Sequence, residues 1–476
     1  MQTFYWHDYE TWGASPARDR PSQFAGVRTD LDFNIVGEPL MVYCQPPVDL
    51  LPQPEACLIT GIAPQLAQAQ GVPEREFIRR VHAELSAPGT CGVGYNSIRF
   101  DDEVTRFTLY RNFYDPYARE WQNGNSRWDI IDMVRACRAL RPEGIEWPNR
   151  EDGSPSFKLE HLTQANGLAH EAAHDALSDV YATIAVARLI KQRQPKLFDY
   201  LFKLRNKHEV AAQLNLIERR PVLHISGMFP AERGCAALVL PLMQHPSNAN
   251  EIICYDLGVD PTPLLELDSD EVRRRMFTPS AELEVERIPL KTIRLNRCPV
   301  VATARLLDDD ALAHRLQIDR ARCARHAERL LNAAQLPAKL HEVFSEREFI
   351  AADDPEQLLY SGGFFSRNDR TLMTQVCQAD GATLARRRFP FEDERLPELL
   401  FRYRARYFPE TLDADEQAAW KTFCLTRLTD AKAGASIVLA DYRRQLQELA
   451  LQHPQRRELL AQLEQHAQQL LARCAH

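Results

Sequence analysis

The sequence predicts an α/β protein with a first part built on a mixed sheet, then a smaller β-rich part and a helical C-terminal part. Two observations predict the first part. Apolar extended runs follow one another near the N-terminus, and further strand-like runs then alternate with helical patterns. A third observation predicts the rest, because short extended runs separated by turns cover residues 221–302 and helical periodicity dominates from about residue 308.

The elements of the first part are predicted in chain order. Residues 3–11 form an apolar run that includes two acids, and extended runs at 24–29, 33–36 and 39–44 follow it as antiparallel strands. A helix is predicted at 74–85, where apolar residues share one face. The remaining predicted elements are a buried strand at 91–96, a helix from Asp101, a strand at 128–133 carrying Asp129 and Asp132, and a long helix with Leu177, Val180, Ile184, Ala187 and Ile190 on its buried face.

Domain boundaries are predicted where these patterns change. Residues 191–195 close the long helix, so we divide the chain into domains 1–194, 195–347 and 348–476. The middle domain begins with a helix predicted at 196–214, and helices are predicted to dominate from about Asp308, with an Arg-rich stretch at 312–331. Paired helices are predicted at 441–475. The short strands of the middle domain are predicted at 221–225, 236–240, 252–256, 293–295 and 300–302.

Composition narrows the class of protein. The 476 residues are 45% hydrophobic and 26% charged, as in globular proteins. No apolar run approaches the roughly 20 residues of a membrane span, and the N-terminus lacks a secretory signal. Eleven scattered cysteines without a C-x-x-C pair favour free thiols in the cytoplasm. The net charge of −8 argues only weakly against nucleic-acid binding, because binding depends on where cations cluster.

Two acids stand out on the first predicted strand. Asp8 and Glu10 are two positions apart, so their side chains point to the same face of the strand. Two carboxylates on one face at the end of an apolar strand are costly unless a cation lies between them, and a divalent metal is the usual solution. A strand end with two solvated acids is the alternative for this pair.

Further acids and a histidine occur at helix starts. Asp101 is either an N-cap or first-turn acid that faces the dipole of its helix, or a third acid near a metal site. Asp175 is a candidate N-cap of the long helix, which would leave His174 just before the helix and Asp179 one turn inside it. A hydrogen-bonded surface histidine and a solvated helix acid are the alternatives for these two residues.

The order of these residues resembles the DEDDh group of 3′→5′ exonucleases, which have a ribonuclease H-like fold. Asp8, Glu10, Asp101 and Asp179 match the four acids of the group, and His174 matches its histidine. Each motif is weak alone, because Asp-x-Glu is a common tripeptide. Together, in order and on the expected elements, they form a more specific signal.

A closer resemblance is to the bacterial exodeoxyribonuclease I family, which digests single-stranded DNA from the 3′ end to 5′-mononucleotides. It extends over nearly the whole chain and thins after about Asn332. The resemblance implies an SH3-like barrel and a helical domain that, with the nuclease domain, clamp one DNA strand for processive digestion in DNA repair and recombination. The segments that carry it are 7–11, 95–106, 111–117, 126–129, 140–145, 224–229, 263–270 and 404–406.

The chemistry of phosphodiester hydrolysis explains why such a site needs acidic residues. Hydrolysis of a phosphodiester requires activated water and stabilisation of the leaving oxygen, and two divalent ions ~3.5–4 Å apart supply both. Mg²⁺ prefers oxygen ligands, so we expect two Mg²⁺ ions per site. Asp8 is the expected bridging ligand, Glu10 and Asp179 are further ligands, and Asp101 acts directly or through water. His174 is the expected general base, with an unperturbed pKa of ~6.5.

Substrate and partner contacts are implied by the resemblance. Single-strand binding uses cations for phosphates and aromatic rings for bases, whereas a solvated face with core aromatics is the alternative. Lys158 stands where Arg is expected, which would weaken a bidentate phosphate contact. Arg141 and Tyr200 are implied to receive the acidic tail of single-stranded DNA-binding protein. The implied DNA contacts are Glu10, Arg106, Tyr117, Trp121, Arg135, Lys158 and Lys207.

Two other functions stay open at this point. One is an exoribonuclease or proofreading-type exonuclease with the same catalytic plan, against which the two additional domains argue. The other is a single-stranded DNA-binding scaffold with an inactive site, against which the complete set of acids and the histidine argue. We expect a monomeric cytoplasmic enzyme that does not bind membranes. Asp129 and Asp132 are expected to be structural or supporting residues.

Overall fold

The computed structural model describes residues 2–170, 175–345 and 353–475. The chain forms two compact units. Unit 1 contains Met1–Ser126, His170–Thr183 and Ile350–His476, and unit 2 contains Arg127–Ala169 and Ile184–Phe349. The N-terminal sheet and the C-terminal helices therefore belong to one unit. Across the described ranges, each helix is too short or too polar to span a bilayer.

The strands belong to two sheets. Their bounds are β1 Thr3–Thr11, β2 Pro21–Thr29, β3 Leu40–Tyr43, β4 Thr90–Gly94, β5 Ser126–Asp129, β6 Val222–Ile225, β7 Ala236–His245, β8 Asn248–Asp256, β9 Leu290–Arg294 and β10 Val300–Thr303.

The α-helices are connected by loops and short 3-10 turns. Their bounds are α1 Pro54–Thr60, α2 Pro64–Gln70, α3 Glu74–Leu85, α4 Asp101–Arg111, α5 Ile131–Leu140, α6 Leu159–Ala165, α7 Ala176–Arg193, α8 Pro195–Lys203, α9 Lys207–Gln213, α10 Thr262–Glu266, α11 Ser269–Phe277, α12 Asp310–Arg315, α13 Arg320–Leu331, α14 Leu336–Ser345, α15 Arg367–Gln378, α16 Gly381–Arg386, α17 Arg395–Tyr407, α18 Ala414–Thr429, α19 Leu439–Gln452 and α20 Arg457–Ala475.

The sheet of unit 1 is mixed, as predicted. Its strands follow the order β3-β2-β1-β4, with β1 antiparallel to β2 and parallel to β4, and β5 crosses the boundary between the units. The helix predicted at 74–85 is α3, with the predicted bounds. Its buried Phe77, Ile78 and Val81 pack with Tyr5 and Phe24 of the sheet. The period of the apolar residues therefore identified both the helix and its buried face.

Two predicted strands are shorter in the structure. The turn over residues 30–32 is present as predicted, but residues 33–36 make only a single antiparallel bridge to β2, Ile35 opposite Thr29, because the Asp30 carboxylate accepts the N–H groups of Asp32 and Asn34 and Phe33 has a φ of 66°. The predicted strand at 128–133 ends at Asp129. The Asp129 carboxylate accepts the N–H of Ile131 over 3.0 Å and starts α5, so Asp132 lies on a helix.

Unit 2 contains an antiparallel sheet in the order β10-β6-β7-β8-β9, at the five strand positions predicted. The helix predicted at 196–214 is two helices, because Asn206 caps a new helix by accepting the N–H of His208. Helices follow from residue 310, as predicted, and Asp319 caps α13 in the same way through the N–H of Arg322.

A buried ionic cluster joins the N-terminal and C-terminal parts of unit 1. The Arg427 side chain is fully buried and lies 2.9 Å from both an Asp49 oxygen and a Glu356 oxygen. Arg406 pairs with the same two carboxylates, and Arg20 pairs with Glu356 over 2.8 Å. Each buried charge therefore has opposite charges beside it, as buried ions require.

Candidate active site

Asp8 and Glu10 lie at the carboxyl end of β1. The parallel pairing of β1 with β4 reaches only to Trp6 opposite Val93, so both acids lie beyond the last paired residue. Glu10 is buried and Asp8 is half-buried. Ligands of open α/β sheets bind outside the carboxyl ends of strands, so these acids occupy the expected edge for a site.

Asp101 approaches the same strand from helix α4. It is the first residue of that helix, and its Oδ1 accepts a hydrogen bond from the backbone N–H of Tyr9 over 3.1 Å. The N-cap position belongs to Phe100, and no side-chain cap is present there. Asp101 is therefore not the N-cap of its helix but an acid of the first turn, and its carboxylate contacts β1.

Asp179 comes to the site on the first turn of α7. As predicted, Asp175 caps this helix, since its Oδ1 accepts the N–H of Ser178 over 3.1 Å. Oxygen atoms of Asp8, Glu10 and Asp179 all lie within 4.8 Å of one another. Two segments that are distant in sequence, β1 and α7, thus bring their carboxylates to one point.

The acids of this cluster repel one another. Burial and the charges of Asp101, Glu10 and Asp179 raise the pKa of Asp8 well above its usual value. Burial, together with Asp179 and Asp101, raises the pKa of Glu10 to about 8. A divalent cation would remove both causes of the raised pKa values. It would neutralise the repulsion between the acids, and it would replace the water that the carboxylates lose on burial. The all-oxygen donor set fits a hard cation such as Mg²⁺.

Two histidines, His170 and His174, lie within ten positions before Asp179 in the sequence. The predicted general base, His174, lies outside the described residues. His170 was not predicted, and its Nε2 lies 2.6 Å from Oδ1 of Asp179. Only its sequence proximity to Asp179 could have suggested this contact, because no helical or strand period relates the two residues.

Arg106, a predicted DNA contact, is held by acids of its own unit. Its guanidinium donates two parallel 2.7 Å hydrogen bonds to Glu120 and one of 3.1 Å to Glu103. It also lies over the ring of Tyr117, with its central carbon 5.3 Å from the ring centre. Arg106 is buried, and its positive charge is already paired with the carboxylates of Glu120 and Glu103.

An aromatic patch, formed by Tyr117, Trp121, Tyr360 and Phe364, lies beside Arg106. Trp121 is 64% exposed and Phe364 is 85% exposed. The Tyr117 and Phe364 rings meet edge to face at 5.9 Å, and Tyr117, Trp121 and Phe364 line a cavity of about 120 Å³. Sequence reasoning found Tyr117 and Trp121 but missed Tyr360 and Phe364, which come from a distant segment with no periodic signal.

The other predicted contacts lie in unit 2. Lys158 is exposed with Nζ 3.4 Å from a Glu160 oxygen, and Lys207 is exposed at the start of α9. Arg135 forms a 2.6 Å ion pair with Asp132, which gives that acid a structural partner. The predicted partner-binding residues Arg141 and Tyr200 both line a cavity of about 540 Å³.

The mixed sheet with an acidic cluster at the carboxyl end of its central strand defines the protein as an exonuclease, and family models agree. Residues 5–187 match a model described as exonuclease, residues 205–346 match the exonuclease I SH3-like domain, and residues 353–470 match the exonuclease I C-terminal domain. The chain belongs to the exodeoxyribonuclease I family. The resemblance and the fold class predicted from sequence are therefore confirmed.

Named relatives support the assignment. Exodeoxyribonuclease I of Escherichia coli K12 is 51% identical over 422 residues, 88% of each chain. The solved exonuclease I from Methylocaldum szegediense has 51% identity and a TM-score of 0.94, covering 99% of this chain and 100% of that one. A zinc-bound complex of E. coli exonuclease I with single-stranded DNA has 48% identity and a TM-score of 0.93, with the same coverage.

Proposed function

We propose that this exonuclease degrades single-stranded DNA in the 3′→5′ direction, with two Mg²⁺ ions, to 5′-mononucleotides. The observation that carries the proposal is the convergence of Asp8, Glu10 and Asp179 oxygens within 4.8 Å. The relative from E. coli, solved with single-stranded DNA and a zinc ion, supports both the substrate and the use of a divalent metal.

The acids have defined roles in this proposal. Asp8, Glu10 and Asp179 would hold the ions, with Asp8 shared between them, and Asp101 would act directly or through water. When bound, the ions supply an activated water and stabilise the leaving 3′-oxygen. His174 takes the proton of the attacking water, and Glu10 also contacts the terminal nucleotide.

DNA is held by cations and exposed rings. The aromatic patch supports this proposal, because exposed rings beside one another suit the stacking of unpaired bases. Tyr117 and Trp121 remain predicted contacts, and we add Tyr360 and Phe364 from the same patch. Lys158, Lys207 and Arg135 remain predicted contacts in unit 2. Arg106 would contact DNA while sharing its guanidinium with Glu120 and Glu103.

Partner and cellular context form a separate part of the proposal. The cavity lined by Arg141 and Tyr200 is mostly apolar with one exposed guanidinium group, and this supports the binding of the acidic tail of single-stranded DNA-binding protein.

We further propose a three-domain division at residues 194 and 347, a monomer, processive digestion, and a role in DNA repair and recombination. Eleven free cysteines favour the cytoplasm.

The test compares substrates and strand ends. Full-length protein is incubated with Mg²⁺ and either single-stranded DNA, RNA or duplex DNA, each labelled at the 5′ end, with EDTA in parallel. We expect single-stranded DNA alone to be converted from the full-length labelled strand to short labelled remnants of its 5′ end, and EDTA to stop this conversion. Equal digestion of RNA would refute the DNA assignment, and digestion in EDTA would refute the metal centre.

Variants separate the proposed roles from binding alone. Asp8→Ala should lose cleavage and still bind single-stranded DNA, whereas near-normal turnover would refute its role as a metal ligand. His174→Ala should lose turnover with metal affinity unchanged, and unchanged turnover would remove it as the base. Binding without cleavage by the unaltered protein would favour the scaffold alternative.

A further inference from the structure

His170 makes a short contact with the acidic cluster. Its Nε2 lies 2.6 Å from Oδ1 of Asp179, and the two side chains are 5% and 18% exposed. The two residues are nine positions apart, and His170 precedes α7, which carries Asp179. A carboxylate oxygen only accepts, so Nε2 donates the hydrogen bond. The pair is nearly excluded from water, which strengthens this interaction.

The contact opposes a force that acts on Asp179. Its carboxylate lies within 4.8 Å of oxygens of Asp8 and Glu10, so negative charge on either of these acids disfavours the carboxylate in this position. A charge-assisted hydrogen bond from a nearly buried ring opposes displacement of the carboxylate. By holding one oxygen, the bond also sets the direction in which the carboxylate presents the other oxygen.

We propose that His170 is a positioning residue, whose Nε2–H holds the Asp179 carboxylate in the orientation that a cation at Asp8 and Glu10 requires. The proposal rests on the metal centre proposed above. Groups that hydrogen-bond to ligating side chains typically change metal affinity or activity by about 10–100-fold when removed. His170 therefore differs from His174, because it acts on a protein carboxylate and not on the attacking water.

The test measures metal binding without turnover. Mn²⁺ binding to the full-length protein is followed by calorimetry in the absence of DNA, for His170→Ala, His170→Gln and His174→Ala. We expect His170→Ala to weaken binding by about 10–100-fold. His170→Gln should stay close to the unaltered protein, because its amide N–H donates from a similar position. His174→Ala should bind Mn²⁺ normally.

Two controls make the outcomes decisive. His314→Ala, at an exposed histidine on α12, should leave binding unchanged. Normal Mn²⁺ binding by His170→Ala, or equal losses in His170→Ala and His170→Gln, would overturn the positioning role. His170→Phe, which keeps the ring but lacks the donor, replaces the alanine variant if that variant fails to fold. Normal binding by Asp8→Ala would instead refute the metal centre itself.

Discussion

The backbone N–H of Tyr9 donates a hydrogen bond to Oδ1 of Asp101 over 3.1 Å, across 92 positions of sequence. Tyr9 lies between Asp8 and Glu10 on β1, so this bond fixes the start of α4 against the strand that carries the other acids. Backbone geometry thus holds Asp101 in a cluster where its charge is unfavourable until a cation is present.

Replacing Asp101 by asparagine separates the effect of the Tyr9 hydrogen bond from the effect of the negative charge of Asp101. The amide oxygen of Asp101→Asn still accepts the Tyr9 N–H, but one negative charge beside Asp8 and Glu10 is lost. We expect unchanged or higher thermal stability in EDTA and a Mg²⁺-dependent rate at least about tenfold lower. Thermal melts in EDTA and initial rates on single-stranded DNA measure the two results.

The neighbouring acid Asp102 provides a matched control. It is buried and pairs with Arg119 over 2.6 Å, so Asp102→Asn removes the nearer of two carboxylates beside a buried guanidinium, and the Glu120 oxygen that remains is 3.9 Å away. This variant should lose about 3–5 kcal/mol of unfolding free energy. Equal loss of stability in Asp101→Asn would contradict the repulsion within the acid cluster.

The aromatic patch should contribute to DNA affinity. Trp121→Ala and Phe364→Ala each remove an exposed ring, and stacking of one base is worth about 1–3 kcal/mol. We therefore expect each variant to bind single-stranded DNA about 5- to 150-fold more weakly in EDTA, as measured by fluorescence anisotropy. Leu451→Ala removes an apolar side chain that is also 85% exposed, and it should bind normally. Unchanged affinity in both ring variants would exclude the patch as a DNA contact.

The buried ionic cluster should contribute strongly to stability. Arg427→Met leaves Asp49 and Glu356 without one of their shared partners in a site that excludes water. We expect a loss of about 3–5 kcal/mol in urea unfolding. Arg444→Ala breaks an exposed pair with Asp441 and should cost less than about 1 kcal/mol. A similar small loss for both variants would show that the cluster is replaceable.

His466 predicts a pH dependence of stability. Burial, with a smaller effect of Arg473, lowers the pKa of His466 to about 4, while an unfolded histidine has a pKa of ~6.5. Between these values the unfolded state binds a proton that the folded state does not, so stability falls as pH drops from 6.5 to 4. The loss from this residue is about 3 kcal/mol.

The comparison variant for this pH effect is His466→Leu. It lacks the titrating group, so its unfolding free energy should fall less than that of the unaltered protein between pH 7 and pH 4. Urea unfolding at a series of pH values measures both slopes, and His314→Leu at an exposed position serves as the control. Parallel slopes for His466→Leu and the unaltered protein would contradict the assignment.

Local patterns in the sequence were sufficient for much of the fold. Strand alternation placed Asp8 and Glu10 on one face, and helical periodicity gave the bounds of α3 and the capped start of α7 that carries Asp179. These predictions succeeded because side-chain period and capping depend on residues within a few positions of one another. The acids of the candidate site and their order along the chain could therefore be predicted without knowledge of any tertiary contact.

The tertiary structure alone decided which residues meet. The approach of the Asp8, Glu10 and Asp179 oxygens, the Tyr9–Asp101 bond and the addition of Phe364 to the aromatic patch join segments far apart in sequence. Local side-chain hydrogen bonds also shorten a predicted strand, as the Asp30 carboxylate does at the turn before residues 33–36. Such contacts depend on how whole elements pack, and no local period of residues encodes that packing.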